Sequence, residues 1–401
     1  MVKRELFDIV VKNGTLIDAA EKLHEQMDLG ICKGKIEAVE RKISSGSAKR
    51  VIDASGLIVT PGLIDLHTHV AYNVARLCVD PDQACLSKGT TTAVDAGSTG
   101  ELTYTPFKKY VVESVKTRVL AFINIESLGM IEFADMKPRY TDQEWPRLIT
   151  ETSERFASMF VNVTKTVNLI LKERRNIVGI KWAHHGQRPL VLARKAANMT
   201  KTPLMVENHF MPDAMKYLKQ GDVITHLFHD EYNPLAKKKD GLVENGKIRP
   251  EFFDAHKRGI LFDVGHGQGS FVWKIAELAF REGIVPQIIS TDLWSGNLNG
   301  PVYDLPTTMS KFLYLGMTLD EVVAATTAVP AGFLKRHGSI GTLKKGANGD
   351  VAIFRIQKGR FPLVDVNGER RVGKKMLRAV HVIRGGVEQK IIYRNESNYS
   401  R

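Results

Sequence analysis

The stretch Val59-Thr-Pro-Gly-Leu-Ile-Asp-Leu-His-Thr-His69 decides how this chain is read. A Pro-Gly turn opens a short apolar run, Leu63–Leu66, of the kind that forms a strand buried on both faces. The run breaks into two histidines separated by one residue. Alternate side chains of an extended strand end face the same side, so His67 and His69 can offer two imidazole nitrogens to one ion. A lone H-x-H recurs by chance in unrelated sequences. Its weight here comes from its surroundings.

Toward the C-terminus, further apolar runs alternate with amphipathic stretches of helical length, the pattern of βα units around a parallel sheet. Together with Leu63–Leu66 the strand candidates are Thr92–Asp95, Val119–Ile125, Ile177–Lys181, Pro203–Glu207, Val223–His226, Ile260–Val264 and Gln287–Ser290. Eight parallel strands predict a closed (β/α)8 barrel of the TIM type. FVWKIAELAFR, 271–281, reads as one of its helices, and Thr318 with Glu321 as a capping box opening another that Pro330 ends.

Nearly every strand candidate terminates in a residue able to bind metal or move a proton. Asp95, Asn124 with Glu126, Lys181, Glu207 with His209, His226, His266 and Asp292 follow His67 and His69 in chain order. In a barrel these ends converge on one rim, where active sites are built. Lys181 ends the run NIVGIK, where a cation pointing inward would be unfavourable beside metals. A lysine snorkelling to solvent is the plainer alternative.

Before the barrel, FDIVVKNGTLID, MDLGICKGKIEAVE and KRVIDASGLIVTPG read as antiparallel strands, with hairpin turns at Asn13-Gly14 and Lys33-Gly34. After Pro330 this style returns. The expected organisation is a small β-sandwich domain made from both ends, residues 1–59 and 335–395, flanking a barrel over 60–334.

The 401 residues are 43% hydrophobic and 25% charged, which excludes a disordered or fibrous chain. Three cysteines, none in a C-x-x-C pair, predict neither a disulfide framework nor structural zinc. With no signal-peptide pattern and no apolar run long enough to span a membrane, a cytoplasmic protein without membrane partners is expected. The formal charge of +13 raises nucleic acid as a partner. The basic residues read as spread along the chain rather than gathered on one element, which argues against it. Val264-Gly-His-Gly-Gln-Gly269 does not match the spacing of a nucleotide-binding loop.

Taken together, these residues resemble the amidohydrolase superfamily, in its dihydroorotase-like and deacetylase-like group. The resemblance runs over almost the whole chain, through Val59–His69, Lys88–Gly97, Val178–Lys181, Asp222–His226, Phe262–Gly267, Ser290–Asp292, Asp304–Lys311 and Leu343–Asp350. It implies two divalent ions, zinc by expectation. His67, His69 and Asp292 would hold one, and Lys181, as a carbamate formed with carbon dioxide, would bridge to a second held by His226 and a strand-five residue. There the sequence departs from the pattern, because Met205-Val206 is followed by Glu207, with His209 two residues on. His209 is the favoured ligand and Glu207 the alternative. Asp292 is the expected general base and acid. By its position at the end of strand seven His266 reads as a substrate contact, with a hydrogen-bonded structural histidine as the alternative.

The expected activity is hydrolysis of an amide or ester bond in a small acylated amino or hydroxy acid by a metal-activated hydroxide. A cyclic amidohydrolase and a non-catalytic scaffold of the same fold are the alternatives, and homo-oligomerisation is left open. Asp65 and Asp95 are candidates to orient an imidazole from behind. His184 and His185 read equally as solvent-exposed loop residues or as substrate contacts, and Arg188 or the Lys237–Lys239 loop could attract an anionic substrate, a solvated loop being the plainer reading.

Overall fold

In the computed structural model of the chain, residues 6–130, 160–183, 187–207, 214–230, 232–233, 238–239 and 241–393 are described. Two sheets organise them. The first is a mixed eight-stranded sheet assembled from both chain ends. Its N-terminal strands are β1 (Phe7–Asp18), β2 (Leu23–Cys32), β3 (Lys35–Glu40), β4 (Ala48–Asp53) and β5 (Ile58–Pro61). Ile9, Val11, Leu29, Ile31, Val59, Val351 and Ile353 bury a core of its own.

Lys33 and Gly34 form the two-residue turn expected between β2 and β3, both with positive φ (49° and 74°). Asn13-Gly14 is no turn. β1 runs straight through it, with Asn13 at φ 61° and the register against β2 shifting between Val11 and Gly14, so the pair makes a bulge. The expected antiparallel pairing also holds only in part, since β4 and β5 both pair parallel to β1.

Sheet membership changes at Gly62, between β5 and β6 (Leu63–Thr68). The second sheet continues with β7 (Thr90–Ala96), β8 (Arg118–Asn124), β9 (Ile177–Trp182), β10 (Leu204–Glu207) and β11 (Val223–Thr225). Two short hairpins follow, β12 and β13 (Tyr232–Asn233, Lys238–Lys239), then β14 and β15 (Val243–Glu244, Lys247–Ile248). β16 (Leu261–Phe262) is the seventh stave, and every pairing within this seven-stranded sheet is parallel.

The eighth stave, expected at Gln287–Ser290, is not a regular strand. Residues 287–293 instead make single parallel bridges to each edge of the sheet, Asp263 to Ile288 and Thr68 to Leu293, and so close the ring. Val264 N donates to Ile288 O (3.1 Å) on one side, and His69 N to Leu293 O (2.9 Å) on the other. Asp292 breaks the ladder because its backbone is left-handed, at φ 49°.

The helix Trp273–Arg281 lies within the stretch read as helical, and Thr318 and Glu321 form the capping box ahead of Leu319–Thr326. Pro330 does not end that helix. It lies inside the next one, Ala328–Phe333. The C-terminal strands β17 (Val351–Val364), β18 (Arg370–Arg384) and β19 (Val387–Gln389) return to the first sheet, with β17 pairing on β5. The β17–β18 hairpin is long, and its tip reaches back to the barrel. There Trp273 Nε1 donates to Leu363 O (3.1 Å) and Arg371 pairs with Glu277 (2.6 Å).

Candidate metal centre

His67, His226 and Asp292 come together at the rim, with one potential ligand atom of each lying within 4.8 Å of the others. His69 joins them, its Nε2 3.0 Å from Asp292 Oδ1, while His67 Nε2 lies 3.4 Å from the same oxygen. Lys181, fully buried on β9, places Nζ 3.2 Å from His67 Nε2 and 3.1 Å from Glu207 Oε1. Glu207 Oε1 is in turn 3.4 Å from His226 Nε2.

Glu207 is the last residue of β10 and sits in register with Thr225 of β11, which carries it to the centre of the cluster. His209, favoured from the sequence, lies outside the described residues, as do His184, His185 and Lys237. Among the described residues the structure gathers His67, His69, Lys181, His226 and Asp292 of the expected ligands, and Glu207 beside them.

The hydrogen bonds behind the three imidazoles fix their protonation. His226 Nδ1 faces Gly265 O at 2.9 Å, and a carbonyl only accepts, so Nδ1 carries the proton. His67 Nδ1 faces Thr225 Oγ1 (2.8 Å), whose own hydrogen goes to Asp263 Oδ2 (2.6 Å), so Thr225 accepts from His67. His69 Nδ1 faces Ser98 Oγ (2.8 Å), which donates to Asp95 Oδ2 (2.7 Å). All three rings are thereby held with the proton on Nδ1, and their Nε2 atoms face carboxylates, those of His67 and His69 facing Asp292 and that of His226 facing Glu207. Carboxylate or carbonyl support behind a ligating histidine is the arrangement metal sites use to orient their ligands, and the residues present fit divalent metal.

The surroundings act differently on the two rings beside Lys181. Burial, and next the charge of Lys181, hold His67 well below the ordinary imidazole value, which keeps its ring neutral. His226 moves the other way. Burial opposes its charging, but the Glu207 carboxylate outweighs burial and raises it. Asp263, though pushed up to about 6 by burial, remains a carboxylate at neutral pH and keeps accepting from Thr225.

Asp95 stands behind His69 through the Ser98 hydroxyl and also accepts from Ser98 N (2.8 Å) at the turn after its strand. Asp65 does not touch an imidazole. It accepts from Thr291 Oγ1 (2.6 Å) and Thr291 N (3.0 Å), bracing the closing segment just before Asp292, and burial raises it to about 7. Asp263, Thr225 and Ser98 were not singled out in the sequence. The available signal was Asp263 at the end of a strand, the same placement that drew attention to Asp95.

His266, expected to touch substrate, is fully buried with both ring nitrogens engaged inside the protein. Nδ1 faces Gly267 O (3.0 Å) and Nε2 faces Lys311 Nζ (2.6 Å), while the ring stacks on Phe271. These contacts fit the alternative of a hydrogen-bonded structural histidine and not a substrate contact. Left-handed backbone at Gly265 and Gly267, φ 46° and 52°, bends the chain after strand seven. Asn124 is likewise occupied, donating to Gly97 O (3.0 Å) and accepting from Glu126 N (3.0 Å).

A closed parallel barrel with a histidine and carboxylate cluster at its C-terminal rim defines a metal-dependent hydrolase, and the chain belongs to the amidohydrolase family. Residues 50–112 match the amidohydrolase family model, and residues 343–388 match a deacetylase-like composite domain. A deacetylase of Enterococcus faecalis is 32% identical over 95% of this chain and 98% of its own length. A deacetylase of Agrobacterium fabrum is 32% identical over 84% of this chain and 80% of its own length. Among solved structures, one described as an adenine deaminase superposes with a TM-score of 0.81 at 31% identity, covering 96% of this chain and 100% of the other. A dihydroorotase does so with 0.81 at 27%, covering 95% and 99%. The chain is a deacetylase-like hydrolase acting on carbon–nitrogen bonds.

Proposed function

We propose that the chain is a zinc-dependent deacetylase of small acylated amino or hydroxy acids, working in the cytoplasm with two ions. The observation that carries this reading is the set of imidazoles held in one tautomer with their lone pairs facing a carboxylate. His67, His69 and Asp292 would hold one ion. Lys181 as a carbamate would be shared with a second held by His226 and Glu207. Glu207 takes the strand-five place instead of His209, because its carboxylate lies beside both His226 and Lys181. Carboxylation of Lys181 would replace a buried ammonium by an anion, which suits divalent cations and not the Glu207 carboxylate alone.

When bound, such ions lower the pKa of a water and polarise the acyl carbonyl. The protein's own part in the proton transfer falls to Asp292, which takes the proton of the attacking water and delivers it to the departing amine or alkoxide. The bond broken joins the acyl carbon to that nitrogen or oxygen, and the products are a carboxylate and a free amine or alcohol. Behind the reacting groups, Asp95–Ser98, Asp263–Thr225 and Gly265 O hold the rings still.

A second reading, opening of a cyclic amide, draws support from the likeness to the dihydroorotase structure. Zinc-loaded protein assayed against N-acetyl amino acids, O-acetyl hydroxy acids and cyclic amides tests both. Turnover confined to the acyclic acyl compounds is expected. Turnover of the cyclic amides alone would favour the second reading, and none from any of them would sink both.

A further inference from the structure

Lys311 is a fully buried cation that the chemistry above does not use. It sits on the helix Leu305–Leu315, and Nζ donates to Val364 O (2.6 Å), Pro301 O (3.1 Å) and His266 Nε2 (2.6 Å). These three acceptors match the three protons of an ammonium. No carboxylate among the described residues forms an ion pair with it, although burying an unpaired charge is costly. Burial pulls its pKa down to about 7, a measure of that cost.

What the contacts secure is the tripeptide Gly265–His266–Gly267. On one side Gly265 O accepts from His226 Nδ1, and a Cβ at Gly265 would stand 2.2 Å from Thr225 Oγ1 and 3.1 Å from His67 Nδ1. On the other side a Cβ at Gly267 would stand 2.4 Å from Asp292 Oδ2. The backbone of this tripeptide is thus packed against three residues of the centre. Its only side chain beyond Cα is His266, whose ring stacks on Phe271 at 4.6 Å and is held end-on by Lys311. The third acceptor, Val364 O, belongs to the tip of the β17–β18 hairpin, which is also tied down by Val366 N to Phe271 O (3.2 Å) and by Trp273 N to Asp365 Oδ2 (3.1 Å).

We propose that Lys311 is a positioning residue for the metal centre: through His266 it pegs the Gly265–Gly267 backbone, and with it His226 and Asp292, to the hairpin tip of the sheet built from the chain ends. The proposal rests on the metal-dependent reading of the centre. It assigns the C-terminal hairpin a task in the site.

Lys311→Met keeps the buried stem and removes the donors. The measurements are zinc affinity, by competition with a chromophoric chelator, and the visible absorption of the cobalt(II)-loaded protein, both with the full chain. Loss of support behind metal ligands lowers affinity by about 10- to 100-fold, and a loss in that range with altered cobalt bands is expected. Ser310→Ala is the control. Ser310 Oγ accepts from Leu377 N (3.0 Å), so this variant also cuts a helix-to-hairpin bond but leaves the peg intact, and it should retain both readouts.

Wild-type zinc affinity and cobalt bands in Lys311→Met would overturn the proposal, whatever its melting temperature. An equal loss in Ser310→Ala would also overturn it, since the effect would then belong to the interface in general. If Lys311→Met does not accumulate folded, His266→Leu tests the same link from its other end with the same two outcomes. Neither readout needs turnover, so a protein that binds zinc and hydrolyses nothing would defeat the hydrolase reading without deciding this one.

Discussion

Thr225→Val is the sharpest perturbation of the site, because it changes one hydroxyl to a methyl of nearly the same size. Thr225 Oγ1 accepts from His67 Nδ1 (2.8 Å) and donates to Asp263 Oδ2 (2.6 Å), all three groups being fully buried. Valine leaves an imidazole N–H without its acceptor and a carboxylate oxygen without its donor. Stranding buried polar groups costs about 1–3 kcal/mol each. His67 Nδ1 already lies 3.5 Å from Asp263 Oδ2, so the ring can recover part of this by turning toward the carboxylate. That turn moves Nε2 off the point it shares with His69 and Asp292.

The expected result is a fall in zinc affinity of about 10- to 100-fold, or about 1.4–2.7 kcal/mol at roughly 1.36 kcal/mol per decade. Chelator competition measures it directly. Thr225→Ser, which restores the hydroxyl, should recover most of the loss. Zinc affinity in Thr225→Val within twofold of wild type would refute the idea that the hydroxyl relay sets the tautomer and aim of His67.

Glu207→Gln should lower the zinc content of the purified protein while His209→Ala leaves it unchanged, as metal analysis of the two variants will show. The reverse result would return the strand-five place to His209. Lys181→Ala should lose turnover and regain part of it when a short carboxylate is added, read from product release. Full activity without addition would rule out a bridging carbamate. Denaturant titrations of wild type and Lys311→Met should diverge with pH. The folded Lys311 sits at about 7 and the unfolded one near its ordinary 10.5, so the unfolded chain binds more protons between these values. Wild type should therefore gain stability relative to the variant as pH rises through that window, and a pH-independent difference would contradict the lowering of the Lys311 pKa by burial.

The barrel and much of its rim were legible because inward residues of a buried strand end are marked by a polar group after an apolar run. His67, His69, Lys181, His226 and Asp292 all carry that mark. Glu207 and His209 could not be separated, since positions two apart share a strand face. The supporting groups were harder to see. Ser98 and Thr225 are hydroxyls whose roles depend on which carboxylate they meet across the sheet, and spacing along the chain does not encode that.

His266 was misread for a related reason. Its place after strand seven put it on the rim, but two left-handed glycines turn its ring into the core. Asn13-Gly14 has the composition of a hairpin turn and serves as a bulge inside a continuous strand, because the chain on both sides pairs with β2. The basic residues are also less evenly spread than they read in sequence. On the β17–β18 hairpin Arg355 faces Arg378 and Lys358 faces Lys375 directly across the ladder, an arrangement of like charges that costs stability.

The central claim is that three oriented imidazoles, Glu207, Asp292 and a modified Lys181 form a centre for two metal ions. Elemental analysis of protein purified without chelators after growth with added zinc tests it most directly. Close to two equivalents of zinc per chain is the predicted result, and less than one equivalent would contradict the account.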